Sequence, residues 1–199
     1  STEEQYYQSY GLVDVANFHP KIKVDLAYST VNNFTGKVLY KNTHRAFLQP
    51  AIAQKLAVAQ DYLLSIDSTY SILVLDAARP KSIQKEMWQW AVENEMKKYV
   101  AAPTLGSVHN FGCAIDVTIM KGDTILDMGT PYDFFGPEAE PRYSLKYYKE
   151  GRLTKENLMN RTLLKDAMRK AGFRAIQTEW WHYNGVSKEF ARRNFKAIE

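Results

Sequence analysis

Cysteine is nearly absent from this chain: Cys113 is the only one among 199 residues, which excludes an internal disulfide framework and any zinc site built on paired thiolates. Histidine is scarce too, with four in all, so a metal site here must combine imidazoles with carboxylates. No apolar run approaches the roughly eighteen residues that a membrane-spanning helix requires. Strong charge of one sign is missing as well. The 26 Lys and Arg stand against 22 Asp and Glu, a net charge of +4, and the basic residues are scattered, as in Lys97-Lys98 and Arg192-Arg193, which argues against nucleic acid as a partner. There is no repeat, low-complexity tract or linker-like change of composition, and nothing sets an oligomeric state.

What is present is ordinary globular material. At 45% hydrophobic and 24% charged residues, the chain suits one domain over residues 1–199 with a sizeable core. Residues 1–20 read as a loop-rich N-terminal extension. The polar start Ser1-Thr2-Glu3-Glu4, without Met, suits a processed and exported chain, so the expected location is the periplasm or cell envelope, with the cytoplasm as the alternative.

Periodicity outlines the elements. Ile22 to Tyr28 reads as extended and Asn32 to Gly36 as a turn. Residues 50–64 open on Pro50 and space Ile52, Leu56, Ala59 and Leu63 as a core-facing helix. Tyr70 to Asp76 reads as a buried strand, broken by Ala77-Ala78-Arg79-Pro80 before a second helix over 81–99, whose Trp88 and Trp90 read as core. Ala114 to Met120 and Thr124 to Asp127 form a hairpin around Lys121-Gly122-Asp123. A long loop runs from Met128 to about Arg152, and loops of that length usually line a site. Thr154 caps a third helix ending at Ala171 before Gly172. Two strand-like segments up to Tyr183 and a short helix close the chain. Hairpins mixed with helices, without regular βαβ alternation, give an α+β class with a central, mainly antiparallel sheet flanked by helices.

Chemistry-bearing residues are few. Taken alone, His109 reads as a structural residue. Asp116, between Ile115 and Val117, faces the cost of burying a carboxylate unless it is paired, metal-bound or turned to solvent by strand alternation. Glu179 and His182 flank two tryptophans in Glu179-Trp180-Trp181-His182, and apolar walls raise a carboxyl pKa toward that of a usable base. His109, Asp116 and His182 together supply two imidazoles and a carboxylate, the make-up of a catalytic zinc site with an open position. Arg79 follows a strand, and Asp127 and Asp133 begin the long loop.

Several ordered segments then carry a family resemblance. Ser-x-His-x-x-Gly-x-Ala-x-Asp over 107–116, followed by Glu179-x-x-His182, resembles the zinc D-alanyl-D-alanine dipeptidases associated with vancomycin resistance, within the zinc D,D-peptidases that share the Hedgehog fold. Asp25-Leu26-x-Tyr28-x-Thr30-x-Asn32-Asn33-Phe34-Thr35-Gly36, Asp76-x-x-Arg79-Pro80-Lys81 and Met128-Gly129-Thr130-Pro131-Tyr132-Asp133-Phe134 also resemble family segments, in the family's order, so the likeness spans about residues 20 to 185. The resemblance implies one Zn2+ held by His109, Asp116 and His182, Glu179 as base and then acid, and Arg79 beside the scissile carbonyl. It also implies that Asp133, with Ser107 and Tyr28 nearby, holds the free amino end of a small D,D-dipeptide. Asp127 is the competing anion. Two positions depart from the pattern: Cys113 where the motif has a small residue, and Ala78 where the vancomycin-type enzymes carry Tyr.

The expected activity is therefore hydrolysis of D-Ala-D-Ala in cell-wall metabolism. A D,D-carboxypeptidase or endopeptidase on longer wall peptides is the alternative, separated from it by how closed the pocket is around Asp133. A non-catalytic zinc-binding module of the same fold is a third reading, against which the intact Glu179 stands.

Overall fold

A computed structural model describes residues 2–199. In chain order the elements are α1 (Thr2–Gln8), β1 (Val13–Asp14), β2 (Lys23–Val24), β3 (Phe47–Leu48), α2 (Pro50–Ile66), β4 (Tyr70–Asp76) and α3 (Lys81–Glu93). They continue with β5 (Ala114–Lys121), β6 (Thr124–Ile125), α4 (Ser144–Lys149), α5 (Lys155–Lys170), β7 (Arg174–Ala175), β8 (His182–Asn184) and α6 (Lys188–Asn194). The main sheet has the order β2-β4-β5-β8-β7, with β6 paired to β5. Among the described residues only β2 and β4 run parallel; the other pairs are antiparallel. The chain is thus α+β with a mainly antiparallel sheet.

The hydrophobic pattern of α2 does what its spacing predicts. Ile52, Leu56, Ala59 and Leu63 are all essentially inaccessible, and burial of each of the three large side chains contributes about 2 kcal/mol. Gln60, on the same buried face, donates to the Tyr70 carbonyl at 3.1 Å and accepts from the Ile72 amide at 2.7 Å. That pair fixes the helix against β4 at a defined height. Helix α5 is capped by Thr154, whose side chain accepts from the Asn157 amide while Asn157 returns a bond to the Thr154 amide.

Helix α3 stops six residues earlier than the pattern suggests, at Glu93 rather than 99. Glu95 takes a left-handed conformation, φ 61. The Met96 amide reaches back to the Ala91 carbonyl at 2.7 Å and that of Glu95 to Val92 at 3.4 Å, a Schellman ending that normally announces itself with Gly. Lys97–Tyr99 then form a 3-10 turn. The N-terminal stretch is not loop-rich throughout, either. Residues 2–8 are helical, and Tyr7 and Leu12 are buried in a second small core with Phe47, Ala78 and Ile198, Tyr7 stacking on Phe47 at 4.7 Å.

The long segment after Met128 is also more ordered than a loop, with 3-10 turns at 137–139 and 141–143 leading into α4. Arg161 of α5 holds it down. Its Nε donates to the Met128 carbonyl at 2.7 Å, Nη2 to the Glu138 carbonyl at 2.8 Å and Nη1 to Ser144 Oγ at 2.9 Å. A second tie crosses the far end of the chain: the Ile198 amide donates to the Asn110 carbonyl, and its own carbonyl accepts from the Lys81 amide, both at 2.8 Å. Residue 198 therefore bridges the turn after Arg79 and the turn that carries His109.

Candidate metal centre and active site

The sheet brings three chemically active residues into one row. In register, Asp76 on β4 faces Asp116 on β5, and Asp116 faces His182 on β8, with a bulge between Val74 and Asp76. His109 arrives from the 3-10 turn of residues 108–111, capped by Ser107, whose Oγ accepts from the His109 amide. Gly112 ends that turn at φ 65, and a Cβ there would lie 2.5 Å from Leu12 Cδ2, so only glycine fits without displacement.

His109 Nε2 lies 3.2 Å from Asp116 Oδ1 and 3.2 Å from His182 Nδ1, and His182 Nδ1 lies 3.1 Å from Asp116 Oδ1. All three residues are buried. The outward nitrogens decide what these three atoms are. His109 Nδ1 is 2.7 Å from the Ala77 carbonyl, and His182 Nε2 is 2.8 Å from Asn184 Oδ1. Both partners are acceptors, so those ring nitrogens carry the protons and the inward ones present lone pairs. Two lone pairs and a carboxylate oxygen thus converge with no proton between them, an arrangement that a cation completes. Ligands about 2.0–2.1 Å from a tetrahedral zinc lie about 3.3 Å apart, so the donor set and its spacing fit that ion.

Burial alone would raise the Asp116 carboxyl, but the neighbouring His109 and His182 hold it well below the usual range. The other Asp116 oxygen accepts from Tyr132 Oη at 2.7 Å. Glu179 stands beside the trio, Oε2 3.9 Å from His182 Nδ1. Its side chain keeps 30% of its surface accessible, and that surface opens into the cavity, walled by the buried Trp181. Burial is the main reason its carboxyl is raised to about 7, with His182 opposing and Asp116 reinforcing the shift.

Arg79 is buried, and three of its five guanidinium N–H donors are committed. Nε and Nη2 donate to Asp76 Oδ2 at 2.8 and 2.5 Å, and Nη1 donates to Gln84 Oε1 at 2.9 Å. Asp76, itself inaccessible, also accepts from Tyr40 Oη at 2.6 Å. Desolvation would lower the Arg79 pKa, but the Asp76 charge outweighs it and keeps the cation. Nη2 reaches to 3.8 Å from Asp116 Oδ2, so the charge sits at the edge of the donor trio.

Asp133 adopts a left-handed backbone, φ 57, a conformation Asp tolerates at modest strain. It accepts a short hydrogen bond from Tyr28 Oη. Burial pushes its carboxyl up to about 8, with the Tyr28 hydrogen bond acting against the rise and Asp116 adding to it. Tyr28 also lies within 3.4 Å of Tyr132 Oη, so a chain of hydroxyls links the Asp133 end of the site to the Asp116 end.

His109, Asp116, His182, Glu179, Arg79, Asp133, Ser107 and Tyr28 all border one cavity of about 190 Å³. Cavities for drug-sized ligands run from about 300 Å³ upward, so this one suits something smaller. Asp127 does not belong to it: that residue is exposed, and its Oδ1 accepts from the Gly129 amide at 2.8 Å. Cys113 is inert packing, its thiol pushed up to about 12 by burial. His19 and His44 lie elsewhere, His19 against Asp61.

Several functional contacts escaped the sequence reading. Tyr132 and Asn184 orient the donor trio, while Asp76, Tyr40 and Gln84 hold Arg79. Phe34, Tyr99 and Phe135 wall the cavity. Trp90, read as core, is only half-buried and packs on Phe34 and Phe135 at ring-centre distances of 5.0 and 6.0 Å.

Comparison with known proteins agrees in one direction. A peptidase family M15 model described as D-ala-D-ala dipeptidase matches residues 8–199. The D-alanyl-D-alanine dipeptidase of Escherichia coli (strain K12) is 33% identical over 173 residues, covering 86% of this chain and 83% of its own. That of Enterococcus faecium is 29% identical over 180 residues, covering 81% and 85%, and that of Enterococcus faecalis 27% over 190 residues, covering 85% and 88%.

Proposed function

Because the chain belongs to peptidase family M15, the D-Ala-D-Ala dipeptidases, we propose that it hydrolyses D-Ala-D-Ala to two molecules of D-alanine, using one zinc ion per chain. His109 Nε2, Asp116 Oδ1 and His182 Nδ1 would hold that ion, and the convergence of these three proton-free donors is the observation that carries the reading. When bound, the ion contributes Lewis acidity, which polarises a carbonyl and lowers the pKa of water toward about 7.

The chain's own residues supply the rest. Glu179, with its carboxyl near 7, takes the proton from the attacking water and delivers it to the departing amine. Arg79 cannot act as a base; its guanidinium, locked by Asp76 and Gln84, stabilises the negative charge that develops on the carbonyl oxygen. Asp133 pairs with the substrate ammonium, and Tyr28 and Ser107 border the same pocket. Locked donors lose no reorganisation energy as charge develops, which is where removing such a group costs on the order of a hundredfold or more in rate.

D-Ala-D-Ala is a building unit of wall precursors, so the reaction ties the protein to cell-wall metabolism. The test is a substrate panel of D-Ala-D-Ala, L-Ala-D-Ala and the wall pentapeptide, with metal content measured on the same sample. D-alanine should be released from the first. Zinc-loaded protein that leaves D-Ala-D-Ala intact overturns the reading, and preference for the pentapeptide replaces it with a carboxypeptidase.

A further inference from the structure

Three cavities meet at one side chain. Phe135 borders the catalytic cavity of about 190 Å³, a larger cleft of about 560 Å³, and a third of about 230 Å³. Its ring is stacked on Tyr99, with centres 4.9 Å apart and planes 4° apart, and tilted against Phe34 at 5.0 Å. Phe34 borders the catalytic cavity and the larger cleft, and Tyr99 the catalytic cavity and the smaller one. Trp90 closes the group, 5.0 Å from Phe34 and 6.0 Å from Phe135. Three rings from three separate segments thus form walls between the reaction chamber and its neighbours, with Trp90 packed against two of them.

We propose that Phe135 is a specificity-determining partition that confines the substrate to two residues by closing the catalytic cavity off from the larger cleft. This rests on the dipeptidase reading above. The direction follows from which charged residues straddle the walls. Asp133, at the ammonium end, borders both the catalytic cavity and the larger cleft. A residue added to the amino end of the dipeptide would therefore have to pass Asp133 into that cleft, where Asn32 offers a carboxamide that matches a peptide backbone. The aromatic wall of Phe135 and Phe34 stands in the way and offers the added peptide group no hydrogen bond in return for its lost water. With the ring gone, the two spaces merge and the Asn32 carboxamide comes within reach.

The test compares D-Ala-D-Ala with Gly-D-Ala-D-Ala, reading release of D-alanine from zinc-loaded parent, Phe135→Ala, Phe135→Leu and Phe135→Tyr proteins. The ratio of kcat/KM for the tripeptide to that for the dipeptide should rise at least about tenfold in the Ala and Leu variants and stay at the parent value in Tyr, which keeps the wall. Phe135→Leu retains an apolar side chain against Tyr99, so it decides the matter if the Ala variant fails to fold. An unchanged ratio in Phe135→Leu overturns the proposal, as does an equal rise in Phe135→Tyr. If the parent releases nothing from the dipeptide, the dipeptidase reading fails on its own. The partition is then read from calorimetric titration of Gly-D-Ala-D-Ala into Glu179→Gln protein with and without Phe135→Leu. Binding at least about tenfold tighter in the double variant supports the partition, and equal binding overturns it.

Discussion

Asp116 and His182 are register partners on adjacent strands, and their ligand atoms, Oδ1 and Nδ1, lie 3.1 Å apart. The strand ladder itself therefore sets two of the three donors, and only His109 depends on a turn. His109→Ala, Asp116→Ala and His182→Ala should each leave the purified protein with well under one zinc per chain by atomic absorption. Glu179→Gln should keep the metal and lose about a hundredfold or more in kcat, the usual contribution of a proton-transfer group. Full metal content in all three ligand variants would sink the assignment.

Asn184 touches no proposed substrate, yet its Oδ1 fixes which nitrogen of His182 points inward. Asn184→Ala should weaken zinc binding by about 10–100-fold in chelator competition, the typical cost of removing a partner that orients a ligand. Tyr132→Phe, which deprives Asp116 Oδ2 of its donor, should act in the same direction.

Lysine cannot reproduce the fork by which Arg79 grips Asp76 and Gln84 at once. Arg79→Lys should lower kcat by about a hundredfold or more while zinc content stays at the parent level. Removing the cation altogether leaves Asp76 buried with Tyr40 as its remaining partner. Arg79→Ala should accordingly unfold at a lower denaturant concentration than Arg79→Lys, a cost of about 3–5 kcal/mol for a broken buried pair.

Both working carboxyls, Glu179 near 7 and Asp133 near 8, are raised by burial and must be ionised to act. As pH falls from 8 to 6 each takes up a proton, so kcat/KM should fall, about tenfold per unit where one group controls it and more steeply where both do. In Asp133→Asn the limb near 8 should vanish, leaving a profile governed by the group near 7, with KM raised. The stability effect has the opposite sense. A folded pKa raised from 3.8 to about 8 contributes stability that is present below the unfolded value and lost as pH rises through the folded one. Thermal unfolding of the metal-free protein should therefore show Asp133→Asn gaining on the parent as pH rises from 4 toward 9.

The donor trio was readable because His109 stands seven residues before Asp116, His182 three residues after Glu179, and Asp116 lies in an apolar strand that makes an unpartnered carboxylate costly. The strand and helix periodicities of 50–64, 70–76 and 114–120 were readable for the same reason: each is a local pattern. The aromatic walls were not. Phe34, Tyr99 and Phe135 lie on three segments with no shared period, and Trp90, half-buried behind them, looks in sequence like any core tryptophan. The end of α3 was hidden because Glu95 occupies the left-handed position where Gly would have marked it. The helix at 2–8 is too short for its two-sided pattern to stand out, although Tyr7 is buried.

The backbone bridge made by Ile198 has a bearing on timing. The turn behind Arg79 and the turn bearing His109 are joined through the amide and carbonyl of a residue made almost ninety positions after His109, and chains are synthesised from the N-terminus at about 5–20 residues per second. A nascent chain can form β4 and β5 long before that bridge exists. The reaction chamber is thus secured well after its strands are made, and a chain arrested between residues 182 and 198 would carry the donor trio without the clasp that holds its two turns together.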